Sequence, residues 1–87
     1  MSVPLMTMYS TVWCGYCQRL KKQLAEHDVD YVEIDIEQNP DAAQIVEQVN
    51  EGNQTVPTLV FADGYAMTNP SLQAVLSKLD ELESAQN

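Results

Sequence analysis

The sequence predicts an α/β domain in the order β-α-β-α-β-β-α, with a four-stranded mixed sheet flanked by three helices and residues 1–87 as a single unit. Three observations predict it. The apolar runs "LMTMY" at 5–9, "YVEIDI" at 31–36 and "PTLVFA" at 57–62 read as strands. Elsewhere apolar residues recur at spacings of three and four, the mark of amphipathic helices. "DG" at 63–64 signals a tight hairpin, which makes the last two strands antiparallel.

The elements follow in turn. The first strand runs into "TVWCGYC", and helix begins at about Gly15. Leu20 and Leu24 lie four apart, with Cys17 three residues before Leu20, so one stripe faces inward; polar "HDVD" ends that helix. Val32, Ile34 and Ile36 then alternate with Glu33 and Asp35, a strand with one wet face. A strand-helix-strand connection makes the first two strands parallel. Asn39 and Pro40 read as a helix cap followed by proline at the first helical position. Ala42, Ile45, Val46 and Val49 supply that helix's apolar stripe, and Gly52 stops it. A short fourth strand falls near Tyr65 to Met67. Asn69 and Pro70 repeat the cap signature before a last amphipathic helix marked by Leu72, Val75, Leu76, Leu79 and Leu82. The tail "ESAQN" is expected to fray.

Charge narrows the function classes. Thirteen acidic residues face four basic ones, for a net charge of -9. A nucleic-acid binder needs a basic footprint, and anionic membranes repel such a chain. No apolar run approaches the roughly 18 residues of a membrane span. The first ten residues lack the basic and long apolar regions of a secretion signal, so the expectation is a cytoplasmic monomer. In that compartment a pair of cysteines points to catalysis or metal binding rather than to a structural disulfide.

Both cysteines, Cys14 and Cys17, lie in "TVWCGYCQRLKK" at 11–22, with three of the four basic residues. The pair sits at a strand-to-helix junction. Free N–H groups at a helix start hydrogen-bond an anion, and the helix dipole adds positive potential there. Helical side chains lean toward the N-terminus, so Arg19 and Lys22 can reach back toward the thiols. Each effect favours thiolate over thiol. The same cations also fit a plain solvated helix face. Cys14, at the helix start, is the expected nucleophile; Cys17, one turn inside on the buried stripe, is the expected resolving thiol, and the two can form a redox-active disulfide. A structural role is weak, because closing so short a loop contributes only about 2 kcal/mol before strain. A structural zinc site needs about four ligands, and two cysteines with His27 do not make one, so no metal is expected. Met6 and Met8 read as packing.

These motifs resemble the glutaredoxins of the thioredoxin-like superfamily along nearly the whole chain: the strand before "WCGYC", the helix after it, "TVPT" at 55–58 and the DG hairpin. "WCGYC" is one residue from the WCGPC of thioredoxins and shares C-x-Y-C with the CPYC of glutaredoxins. The resemblance implies a thioredoxin-like (glutaredoxin) fold. It implies a cis Pro57 opening the third strand opposite the thiols, with the Val56 N–H and C=O free to pair with the backbone of a cysteinyl substrate. Glutaredoxins that use glutathione carry a lysine three residues before the first cysteine and a Gly-Gly-Asp before the last helix. This chain has Thr11 and "TNPS" at 68–71. The resemblance is closest to mycoredoxins. It implies mycothiol as co-substrate, no tightly bound cofactor, and S-mycothiolated proteins or an arsenate–mycothiol adduct as substrates. It implies a monothiol route in which Cys14 attacks, a second mycothiol resolves, and NADPH with mycothione reductase closes the cycle. Trp13 and Tyr16 would then wall the groove, and Asn69 or the backbone near Thr68 would hydrogen-bond the sugar. Two other readings stand beside it. One is a dithiol redoxin, using both cysteines, reduced by thioredoxin reductase and serving ribonucleotide reductase. The other is an iron–sulfur carrier, although one chain offers at most two of the four sulfur ligands such a cluster needs.

Overall fold

Strand β1 (Met6–Ser10) lies at the centre of the sheet because both of its faces are apolar enough to be covered. Met6 and Met8 point to one side and Tyr9 to the other, and all three are buried. In the computed structural model, which describes residues 4–85, β1 is followed by α1 (Gly15–Glu26), β2 (Val32–Asp35), α2 (Pro40–Val49), β3 (Thr58–Phe61), β4 (Ala66–Thr68) and α3 (Leu72–Ala85). The strand order is β2-β1-β3-β4. β1 and β2 are parallel, with Met8 opposite Glu33. β1 and β3 are antiparallel, with Met8 opposite Leu59, and β3 and β4 are antiparallel, with Leu59 opposite Met67. The predicted order and sheet type hold, with each strand trimmed or shifted by a residue or two.

The period-two register sorts the core into two layers. Met6, Met8, Leu59 and Phe61 pack with Leu20 and Leu24 of α1 and Val75 and Leu79 of α3. On the other face Tyr9 and Ile36 pack with Ala42 and Val46 of α2. That second layer has one helix to cover it. Its apolar stripe is therefore narrower than the sequence suggests: Ile45 and Val49 are 40% and 38% exposed. Val32, on the edge strand, is exposed too, so the predicted dry side of β2 holds only at Ile34 and Ile36.

Three expectations at helix ends need correction. Asn39 precedes Pro40 as predicted, but its side chain donates to the carbonyl of Asp35 rather than accepting from the helix. Asn69 does not cap α3: it takes a positive φ of 45°, and the helix starts later, with the Ser71 hydroxyl accepting from the Ala74 N–H. Of the tail expected to fray, residues 83–85 continue α3, and Gln86 and Asn87 lie outside the described residues. Gly52 does serve the end of α2. At φ 95° its N–H turns back onto the Glu47 carbonyl, which closes the helix after Val49.

Candidate active site

The turn between β1 and α1 places the two thiols. Cys14 is the N-cap of α1, with extended backbone (φ -81°, ψ 112°), and its Sγ accepts the Cys17 N–H at 3.1 Å. A cysteine thus stands where serine or aspartate usually caps a helix. The first turn of α1 carries no acid, so nothing offsets the positive end of the helix dipole beside that sulfur. Gln18 braces the turn twice, its backbone N–H donating to the Cys14 carbonyl and its side chain to the Val12 carbonyl.

Both cysteines are free thiols. Cys14 retains 5% exposure and Cys17 none. Burial pushes the Cys17 thiol well above its ordinary range, and the hydrogen bond with Cys14 adds to it. The Thr11 backbone and the Lys21 cation pull the other way and lose. Both thiols are thus nearly buried; the one at the helix start accepts a backbone N–H, while the one a turn further in holds its proton.

Val56 and Pro57 face the thiols from the far side. The peptide bond between them is cis, as the resemblance implies. The Cys14 thiol donates to the Val56 carbonyl over 3.8 Å, a long sulfur contact. Asn69 donates its N–H to the Pro57 carbonyl, which ties the segment before α3 to this loop.

Around Cys14 the surface is apolar and open. Val12, Trp13 and Tyr16 are 72%, 70% and 66% exposed. A Cβ built at Gly15 would meet no atom beyond its own turn, so this position faces open space. From Tyr16 a cleft of about 330 Å³ runs between α1 and the start of α3, reaching Arg19, Gln23, Asn69 and Ser71. A cleft of similar size, about 320 Å³, lies near Leu5, His27 and Leu79 at the other end of β1, far from the thiols, and carries no nucleophile.

The predicted site residues separate into two groups. Trp13 and Val56 lie next to Cys14, in sequence and through its thiol contact respectively, Pro57 follows Val56, and Tyr16 and Asn69 line the cleft that begins one turn into α1. Thr68 pairs with Thr58, just after Pro57, and its hydroxyl is taken by the Asn50 side chain. Arg19 and Lys22 stand on the exposed face of α1, and neither hydrogen-bonds a cysteine sulfur among the described contacts. Arg19 lines the cleft instead. Lys21, four residues on from Cys17, is the cation that pulls the Cys17 thiol down, the smallest of the influences on it. Sequence reasoning passed over Lys21, although its spacing of four from Cys17 puts the two on one helix face. Asn50 was missed as well. Its amide donates to Thr58 and to the Val46 carbonyl, and its oxygen receives Thr68, contacts that no local pattern announces.

Comparison with known proteins agrees with this geometry. The glutaredoxin family model matches residues 6–65. A chain of Mycobacterium tuberculosis, provisionally named a glutaredoxin, is 54% identical over 74 residues, 85% of this chain and 88% of that one. Mycoredoxin 1 of Corynebacterium glutamicum is 41% identical over 76 residues, 87% of this chain and 94% of that one. The crystal structure of the glutaredoxin from Methanosarcina mazei superposes with a TM-score of 0.74 at 21% identity, over 87% of this chain and 78% of the other, a likeness of fold.

Proposed function

Because this chain belongs to the glutaredoxin family, and is a thiol–disulfide oxidoreductase of that type, we propose that it works through Cys14 alone and uses mycothiol as its small thiol. The observation that carries the monothiol reading is the asymmetry of the two sulfurs. Cys14 receives an N–H at a helix start, and Cys17 is fully buried with its proton held.

The chemistry closes without a second protein thiol. Cys14 thiolate attacks the mycothiol-side sulfur of a mixed disulfide. A bond forms between Cys14 and that sulfur, the old S–S bond breaks, and the client leaves as thiolate and takes up a proton. A second mycothiol attacks the adduct, leaving mycothiol disulfide and restoring Cys14. The added mycothiol supplies the reduction, its sulfur passing from thiol to disulfide as the client's passes from disulfide to thiol, and mycothione reductase with NADPH would return the mycothiol disulfide to two thiols. An arsenate–mycothiol adduct would enter by the same attack. The setting proposed is the cytoplasm, with the chain acting as a monomer.

The choice of mycothiol rests on the cleft and on the resemblance. Residues 68–71 contain no acid to hold an ammonium group, and Thr11 is neutral and 2% exposed, beyond reach of a ligand's carboxylate. The aromatic rings of Trp13 and Tyr16, with amides from Gln23 and Asn69, suit a hydroxyl-rich sugar. The backbone of Val56, whose carbonyl lies 3.8 Å from the Cys14 sulfur, would pair with an extended substrate there.

The test compares one client protein carrying either mycothiol or glutathione as its mixed disulfide, with the matching thiol as reductant. A preference for mycothiol of about a hundredfold in kcat/KM, some 2.7 kcal/mol, is expected. Equal rates, or a preference for glutathione, would remove mycothiol from the account. Turnover only with thioredoxin reductase would favour the dithiol redoxin.

A further inference from the structure

Behind Cys17 lies a polar cluster that the one-cysteine route does not use. Lys21, one turn further along α1, donates to Glu33 Oε2 of β2 at 2.8 Å. The same oxygen receives the Ser10 hydroxyl of β1 at 2.9 Å, and Ser10 is 1% exposed. Three elements thus converge on one carboxylate oxygen. The Lys21 side chain is 23% exposed, and its ammonium is held between α1 and β2 by that oxygen.

Stability does not account for it. Glu33 keeps 39% of its side-chain exposure, and a half-exposed pair contributes about 0–1 kcal/mol. Position gives it another use. Residues four apart on a helix are neighbours, so Lys21 and Cys17 share one face of α1, and the ion pair to Glu33 fixes where the Lys21 charge sits relative to that thiol. The lysine cation lowers the cost of a Cys17 thiolate, and that cost is otherwise set high by burial. Among the other groups around Cys17 the Thr11 backbone also favours the thiolate, and more strongly than Lys21 does, but among the described residues Lys21 is the one cation that acts there. Cys14, the N-cap of α1, opposes its charge; just past the end of β1 lies Thr11, whose Oγ1 is buried without a partner. Tyr31 lies beside Lys21 and Glu33, with its own phenol pushed up by burial. β3 and α3 contribute apolar Leu59, Val75 and Leu79 to the same layer.

We propose that Lys21, fixed by Glu33 and Ser10, is a positioning residue for Cys17, and that it governs closure of the Cys14–Cys17 disulfide as a second exit from the Cys14 adduct. In that step Cys17 gives up its proton and its sulfur attacks Cys14. A bond forms between the two sulfurs, the bond from Cys14 to the small thiol breaks, and the released thiol takes the proton. Cys14 and Cys17 end oxidised as a disulfide and the small thiol ends reduced, so no outside oxidant is needed. This extends the monothiol reading, since it concerns the branch that the main route bypasses. When small thiol is scarce, closure would shield Cys14 from over-oxidation.

The experiment loads Cys14 with 5-thio-2-nitrobenzoate, whose release is coloured, so it does not depend on which thiol is physiological. Release without added thiol reads closure; release on adding a simple thiol reads external discharge. In Lys21→Met the ratio of closure to discharge should fall about tenfold, and the rise of closure with pH should move to higher pH. Lys21→Arg should restore both, and Glu33→Gln should give an intermediate loss because the lysine is no longer fixed. Urea midpoints for all variants keep misfolding apart from electrostatics. The proposal is overturned if Lys21→Met leaves the ratio and the pH profile alone, or if Lys21→Arg behaves like Lys21→Met. Indifference to mycothiol would sink the proposed substrate and leave this result standing.

Discussion

On the outer side of the thiol turn, Val12, Trp13 and Tyr16 are 66–72% exposed; on the inner side Ser10, Thr11, Cys17 and Leu20 are no more than 3% exposed. The two sides share one short stretch of chain and differ in solvent. The apolar outer surface has no partner within the fold, which is where substrate recognition is expected. The inner surface is core, and there a thiol behaves as a small apolar side chain. Both cysteines lie under that boundary, Cys14 at 5% exposure and Cys17 at none, and they differ in that the Cys14 sulfur caps the helix start.

Variants on either side test that division. The largest effect is expected from Cys14→Ser, with loss of more than about a thousandfold in turnover, as when a nucleophile is removed elsewhere. Steady-state reduction of a mixed disulfide measures it; residual activity within tenfold of wild type would move the nucleophile to Cys17. On the inner side Leu24, fully buried between β1 and α3, should lose about 2–5 kcal/mol of stability as Leu24→Ala, read from urea unfolding. On the outer side Trp13→Ala should leave stability within about 0.5 kcal/mol and raise KM about tenfold. A large stability loss at Trp13 would mean that the outer surface is structural after all.

A smaller effect separates the sides by pH. The Lys21 ammonium holds the Glu33 carboxyl below its usual value of 4.5. The pair's contribution is therefore present above about pH 4.5 and lost as pH falls through the lower folded value. Screening by solvent keeps it under about 1 kcal/mol. Glu33→Gln should flatten this part of the stability curve, measured by urea unfolding at stepped pH. An unaltered slope would show that other carboxyls carry it.

Much of this architecture was legible in the chain. Alternation in "YVEIDI", the spacing of Leu20 and Leu24, and the DG turn are local signals, and each produced its element. The thiols and the loop facing them could likewise be placed from motifs. What escaped depends on partners distant in sequence. Ile45 and Val49 look like core residues, but whether they are buried depends on how many helices share their side of the sheet. Asn69 looks like a cap, but its N–H is taken by the Pro57 carbonyl, and the role passes to Ser71. Lys21 was hidden among three neighbouring cations; only a carboxylate on β2 singles it out.

The most direct measurement of the central claim is turnover of Cys17→Ser on a mycothiol mixed disulfide with mycothiol as reductant, followed by mass spectrometry of the enzyme under turnover. The account predicts activity within about threefold of wild type, with one mycothiol on Cys14 as the only adduct. An inactive variant that accumulates a client protein disulfide-linked to Cys14 would contradict it. In that case Cys17 would be the thiol that completes the reaction.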